Sequence, residues 1–480
     1  MRNKIIGRNN QIKVLKNAVE SDNAELIAVY GRRRVGKTFL VREFFNDKFD
    51  FYATGLYKGK QKDELEAFTD MLRTKFKDDL PPVSNWMDAF RLLRDYLKSL
   101  RRKKKIIVFL DELPWFDVPP GHFIRAFEWF WNSWGAAQRN LKMIVCGSST
   151  TWMTDKFISG KGGIYNRTTV RMHLSPFNLG ETRKLLLSRG IEWSEETILN
   201  AYMIFGGVPY YLSMLDRELS LDANVDNLYF SPEAPLKNEY DFLFRSLFRN
   251  SEYYNSIIDA LCRKNRGLTR NEIVEYGKLS DNGALTRALK NLITSDFIRK
   301  YDPYGRKAKN ALYQLTDLSI LFYKRFVERN NSKDARFWTN LIESPRRRTW
   351  SGIAYEQVCL VHLPQIKEAL GIEGVSTETG SWTFSGNETL EGCQIDLLIV
   401  RKDKVINICE MKYSGDDYTM TAKDAKEFRR KKEIFREATG TKDSIQLTLV
   451  TTYGLKKNKY ADSVNQCIIL KDLFSITRSL

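Results

Sequence analysis

The sequence predicts a multidomain α/β protein, and three observations predict it. At 480 residues the chain is too long for a single hydrophobic core. Its first third alternates near-continuous apolar runs, "ELIAVY", "FDFYATG", "KIIVFLDE" and "KMIVCGSS", with helical stretches. Runs of that kind are strands of a parallel sheet buried on both faces by helices. Beyond them the pattern changes twice, first to helix, turn, helix and hairpin, then to a pair of strands with charges at one end.

Composition narrows the class. A hydrophobic content of 42% with 28% charged residues fits a soluble globular protein. Lys and Arg number 77 against 59 Asp and Glu, and the resulting net charge of +18 calls for a polyanionic partner, nucleic acid or an anionic membrane surface. No apolar run is long enough to span a bilayer. The opening "MRNKIIGRNNQIKVLK" has no signal-peptide core, so a cytoplasmic location is expected. The cysteines form no CxxC pair and the three histidines are scattered, which argues against a disulfide framework and a zinc site.

The first element to carry chemistry is the loop after "ELIAVY". It reads Gly31, Arg32, Arg33, Arg34, Val35, Gly36, Lys37, Thr38, and it opens a helix at Phe39. G-x-x-x-x-G-K-T between a strand and a helix is a phosphate-binding loop. Its backbone N–H groups close around a phosphate and the helix start adds positive potential. Lys37 is expected to reach the β- and γ-phosphates of ATP, and the Thr38 hydroxyl to ligate Mg2+. The strand "KIIVFLDEL" supports this reading. Asp111 is expected to hold the Mg2+ through water and Glu112 to polarise the attacking water. Ser148, at the end of "MIVCGSS", is placed to touch the γ-phosphate or that water.

Residues 176–225 read as short helices, and 229–240 as a linker. In "LTRNEIVEY", Thr269 and Glu272 form a capping box. A second helix carries Arg287, Lys290 and Asn291, and a hairpin follows with Arg299, Lys300, Arg306, Lys307 and Lys309. That order is a winged helix-turn-helix, which can place a helix in a DNA groove and a hairpin on neighbouring phosphates. It can equally pack on a nucleotide domain and transmit its state. Residues 330–352 read as a second connector.

The C-terminal stretch 394–414, "QIDLLIVRKDKVINICEMKYS", puts Asp396 on one strand and Glu410 and Lys412 on the next. Side chains alternate along a strand, so Ile406, Ile408, Glu410 and Lys412 share a face. A hairpin at "RKDK" would bring Asp396 beside them. Asp396 and Glu410 could then share a Mg2+, Lys412 would stabilise a hydroxide or developing phosphorane charge, and Glu356 is a candidate fourth member. The plainer alternative is a surface ion pair at a strand end.

On these motifs the chain resembles the archaeal-type ATPase family, a branch of the AAA+/STAND-like P-loop NTPases. The segment "IIGRNNQIKVL" is similar to that family's N-terminal motif, which implies that Gly7 and Arg8 lie near the adenine. "YNRTTVRMHLSPFNLGE" resembles the segment with an arginine finger, which would fall on Arg167; the family more often has Gly where this chain has Asn166. "FGGVPYYL" resembles the Gly-x-Pro element near the base, here Gly207 and Pro209. The C-terminal pattern is similar to the PD-(D/E)xK nuclease superfamily, of the DUF234 type that accompanies such ATPases, although Gln394-Ile395 stands before Asp396 in place of the proline.

The fold class expected is therefore a P-loop NTPase parallel-sheet domain with a helical subdomain (1–225), a winged helix-turn-helix (239–330) and a restriction-endonuclease-like α/β domain (346–480). The expected function is ATP binding and hydrolysis, with DNA binding and a Mg2+-dependent nuclease-like domain under nucleotide control. The alternative is a STAND-like regulatory switch, an ATPase that forms a nucleotide-dependent homo-oligomer and whose C-terminal domain is an inactive recognition module.

Overall fold

The computed structural model describes residues 5–76, 80, 83–100, 103–158, 164, 166–305, 311–388 and 390–476. The chain divides into two compact units, 1–175 and 176–480.

In the first unit the apolar runs become five parallel strands: β1 (Glu25–Tyr30), β2 (Phe51–Thr54), β3 (Ile106–Asp111), β4 (Leu141–Gly147) and β5 (Val170–His173). Their order across the sheet is β2-β3-β4-β1-β5. Every residue of β4 is buried, as a central strand covered on both faces requires. One face carries an aromatic-rich core around Phe68, Trp86, Phe90, Phe123 and Phe127. The other packs Leu15, Leu40 and Val41 of the helices Asn9–Glu20 and Lys37–Phe44 onto Ile27, Val29 and Phe109. This is a P-loop NTPase-like α/β sheet, and its strand ends β1, β3 and β4 bring the loop, Asp111, Glu112 and Ser148 to one edge.

The second unit begins with the short helices expected for 176–225 and continues without an open linker. Tyr229, Phe230, Leu236 and Tyr240 are buried in one core with Phe205, Leu243 and Phe322. The stretch 229–240 is thus a folded connection, because its aromatic residues outweigh its prolines. The 330–352 connector is anchored by two tryptophans. Trp338 and Trp350 are buried at 5.5 Å from each other, and the helix Pro345–Val361 starts at that proline, whose fixed φ suits a helix's first position. The helices 176–225 share this core with the rest of the unit, so the compact-unit boundary lies inside the 1–225 span.

The middle of the unit holds the helices Ser251–Leu261, Arg270–Gly277 and Gly283–Thr294 and three short strands, β6 (Leu268–Thr269), β7 (Ile298–Tyr301) and β8 (Leu312–Leu315), in antiparallel order β6-β8-β7. The Thr269–Glu272 capping box is present. Arg306, Lys307 and Lys309 lie outside the described residues.

The last sheet has five strands in the order β13-β12-β11-β10-β9: β9 (Thr377–Phe384), β10 (Cys393–Arg401), β11 (Val405–Lys412), β12 (Ser444–Thr451) and β13 (Gln466–Ile469). The β10–β11 hairpin is antiparallel and β12 joins β11 in parallel after the basic helix Ala422–Thr439. Ile406 and Ile408 pack beneath that helix with Phe428 and Phe435, while Cys409 and Met411 face the other core.

Candidate functional sites

The phosphate loop is shaped by two glycines. Gly31 has φ +148°, and a Cβ there would fall 2.2 Å from the Leu174 carbonyl oxygen, so no larger residue fits beside β5. Gly36 has φ +86°, and a Cβ there would meet no heavy atom within 4 Å. The loop is therefore braced behind and open in front, as a cradle for phosphate needs. Lys37 is buried, and its ammonium donates to the Arg32 carbonyl at 2.8 Å. Burial holds its pKa below the ordinary lysine value, against the pull of Glu112 and Asp111. The Thr38 hydroxyl donates to Asp111 Oδ2 at 2.8 Å. Burial and the adjacent Glu112 push the Asp111 carboxyl up from its ordinary value, a strain that a bound cation would relieve.

Glu112 follows Asp111 in the left-handed region, at φ 47° and ψ 46°, a conformation unusual for a non-glycine residue. Its carboxylate accepts from the Ser148 hydroxyl at 2.6 Å and from the Ser148 N–H at 3.2 Å. Ser148 thus orients the glutamate, a link between β3 and β4 that the sequence reading, aiming Ser148 at phosphate or water, did not contain. Arg8 is buried and donates to the carbonyls of Val35 at 3.3 Å and Ser175 at 2.7 Å. It ties the N-terminal segment, with Gly7 at φ 65°, to the loop. Val35 is core, whereas Phe39 is 43% exposed on the helix. Arg33 stacks over Trp115, 5.6 Å from the ring centre. Arg167 is exposed on a turn just before β5, behind Asn166, which holds φ 61° without being glycine. Gly207 and Pro209 belong to the second unit, where Gly207 lies against Phe177 and Pro209 starts a short helix.

Residues 6–215 match the family described as an ATPase domain predominantly from Archaea. This stretch is similar to an archaeal-type ATPase domain. Over 90% of its length the chain is 27% identical to the uncharacterized protein MJECL04 of Methanocaldococcus jannaschii, of which 90% is covered. Among solved structures it is similar to the Walker-type ATPase PABY2304 of Pyrococcus abyssi, at 20% identity and a TM-score of 0.48, over 67% of this chain and 96% of that one. It is also similar to the Aeropyrum pernix ORC2 protein in its ADPNP and ADP complexes, at 12% identity and a TM-score of 0.43, over 68% of this chain and 96% of that one. Among the described residues no helix is long and apolar enough to cross a membrane.

Beyond residues 6–215, a second polar cluster forms at one end of the β10–β11 hairpin. Leu397 pairs with Cys409, which puts Asp396 and Glu410 at the same end of the hairpin, where β10 is irregular between Ile395 and Leu398. The Asp396 carboxylate accepts from Gln394 Nε2 at 2.6 Å. Lys412 Nζ stands 3.9 Å from Glu410. Glu356, on the helix Pro345–Val361, has its pKa pushed up to about 7, first by burial and then by Asp396, with Glu410 adding to it and Lys412 and Lys431 opposing. Glu356 therefore feels the other three sequence-predicted charges. Among the described residues no three His, Cys, Asp or Glu side chains stand close enough to hold a metal by themselves. The donor set that fits Mg2+ is two carboxylates, the remaining positions falling to water and phosphate oxygens.

The fifth member is Lys431, which sequence reasoning missed. It projects from the basic helix and forms a partly buried ion pair with Glu410. Its signal was present in "FRRKKEIF": Phe428, Lys431 and Phe435 recur at helical spacing, so this lysine faces the sheet with the core residues. On the middle helices, Arg287 and Lys290 are exposed. Two other basic-surface candidates are corrected. Asn291 donates to the Tyr254 hydroxyl at 2.6 Å, and Arg299 is drawn into the unit by Gln314 at 2.8 Å and by stacking on Tyr301.

Proposed function

We propose that this protein couples ATP binding and hydrolysis in residues 6–215 to the handling of DNA by its C-terminal half. There the Asp396–Glu410 end of the last sheet acts as a Mg2+-dependent nuclease site. The observation that carries the reading is the convergence of Glu356, Asp396, Glu410 and Lys412, brought from one helix and two strands to a single place. Charges of both signs are rarely gathered and partly buried without a ligand to serve.

In the ATPase domain, Thr38 and Asp111 would hold Mg2+, and Lys37 would turn from the Arg32 carbonyl to the phosphates. Glu112, oriented by Ser148, would take the proton of the attacking water. Arg167, exposed, is available to a neighbouring subunit's nucleotide. In the C-terminal site, bound Mg2+ would offset charge on a phosphoryl oxygen and acidify a water. Asp396 and Glu410 would hold it, and Lys412 would stabilise charge developing on phosphorus. Exposed Arg287 and Lys290 supply the duplex contacts.

The test is a matrix of metal, ATP and DNA substrates with the full-length protein. Mg2+-dependent cleavage that Asp396→Ala and Lys412→Ala abolish is the expected result. Intact linear, circular, single-stranded and branched DNA under every condition overturns the nuclease reading. Loss of ATP binding in Lys37→Ala and slow turnover with retained binding in Glu112→Gln are expected in the same preparations.

One observation favours a second reading, a nucleotide-controlled switch with a non-cutting C-terminal module. Lys431 already neutralises Glu410, which suits a permanent structural pair. That reading expects a nucleotide-dependent change in mass by light scattering with no cleavage.

A further inference from the structure

The strand β7 and the residues after it do not stand free of the last sheet. Tyr304 N–H donates to the Ser381 carbonyl on β9 at 2.9 Å. The Tyr304 ring packs 5.4 Å from Phe435, which itself packs 5.0 Å from Trp382. Gly380 has no side chain where the chain crosses it, since a Cβ there would lie 2.8 Å from the Asp302 carbonyl oxygen. The hairpin base and the sheet are therefore fastened at several points.

Between them runs a cleft of about 650 Å³ whose lining includes Arg299, Lys300 and Tyr301 on the hairpin side and Leu360, Leu363 and Asp396 on the other. Asp396, the central carboxylate of the candidate nuclease site, is thus a wall of this cleft. The lining mixes the cations Arg299 and Lys300 with the carboxylates Asp302, Glu378 and Asp396 and with the rings of Tyr301 and Tyr304, so that exposed Lys300 is the group for a phosphate and the tyrosines are the surface for bases. The volume is that of a small-ligand site. A space of that size takes a few nucleotides of one strand and not the full cross-section of a duplex.

We propose that this cleft takes one nucleic-acid strand, so that single strands and frayed or flap ends, not intact duplex, are the substrate class of the Asp396 site. The hairpin base is then a specificity element, admitting a strand and excluding a helix. The inference rests on the reading of the Asp396 cluster as a phosphodiester site. It is separable from cleavage, because binding is measured in Ca2+ without turnover.

The experiment uses the full-length protein with a fluorescein-labelled 20-nucleotide single strand and the matching blunt duplex, followed by anisotropy in Ca2+. Lys300→Glu, an exposed change expected to leave the thermal midpoint unaltered, should weaken single-strand binding at least tenfold and duplex binding less than twofold. Lys290→Glu, on the preceding helix, should do the reverse. Equal effects of Lys300→Glu on both probes, or none on either, overturn the proposal. In Mg2+, cleavage confined to single strands and ends supports it. Cutting within the duplex as fast as within a single strand refutes it while leaving the nuclease reading intact. Strand-selective binding without any cleavage upholds the cleft as a single-strand site while the nuclease reading, and with it the substrate assignment, falls.

Discussion

At the scale of the residue, the Glu112–Ser148 pair is the most informative contact around the phosphate loop. The Ser148 hydroxyl and N–H both hold the glutamate carboxylate, so Ser148→Ala removes one of two anchors from the group expected to activate water. Turnover should fall about tenfold, less than the hundredfold or more expected for Glu112→Gln, since one donor is lost and the base itself remains. A coupled phosphate-release assay separates the two, and nucleotide affinity should be unchanged in both. His362 gives a second test. Its Nδ1–H donates to the Val358 carbonyl at 2.8 Å, and its Nε2 accepts from the Leu179 N–H at 3.0 Å. Burial depresses its pKa from 6.5 to about 4. The folded chain therefore keeps this ring neutral while the unfolded chain protonates it below pH 6.5. Its contribution is complete above that value and is lost as pH falls from 6.5 towards 4, up to about 3 kcal/mol. Urea midpoints of the native chain and His362→Asn between pH 7.5 and 5 check this, and the variant should lack that component of the pH slope.

At the scale of the element, the basic helix Ala422–Thr439 does two jobs. It covers Ile406 and Ile408 on the last sheet and carries Lys431 to Glu410. Its start is fixed by a capping box, Thr421 with Asp424, and its end by Gly440 in the left-handed region. Thr421→Ala should cost about 1 kcal/mol of stability, measured by thermal or urea unfolding, with no loss of ATP hydrolysis. The helix also explains what was legible. Its amphipathic period and cap are local properties of sequence, as are the strand-loop-helix of the phosphate site and the D-x(n)-E-x-K pattern. The partners of individual side chains were not local. Asn291 read as a residue of the recognition helix and Arg299 as one of the hairpin, on charge and spacing alone. Both are half-buried, held by Tyr254 and Gln314, which are distant in sequence and meet them in the fold.

At the scale of the whole molecule, the net charge of +18 is the dominant property. If it serves DNA, affinity for duplex should fall steeply with salt, with a log–log slope of about −0.9 for each phosphate neutralised. Lys290→Glu should flatten that slope by about one. A titration from low to physiological salt with the full chain measures both. A salt-independent association would point away from nucleic acid as the polyanion.

The sequence by itself determined the parts that depend on residue order within one or two turns. These are the phosphate loop with Lys37 and Thr38, the acidic end of β3, and the alternation that puts Glu410 and Lys412 on one face. Such features follow from periodicity and from the dihedral freedom of glycine, which any short window displays. The tertiary structure alone decided which of these parts meet. It set Ser148 against Glu112, brought Lys431 to Glu410, anchored aromatic residues of the two connecting stretches in the core, and laid the hairpin base along β9 so that Asp396 lines a cleft. Those outcomes depend on how apolar faces far apart in the chain cover one another, and burial of that kind is a property of the assembled core.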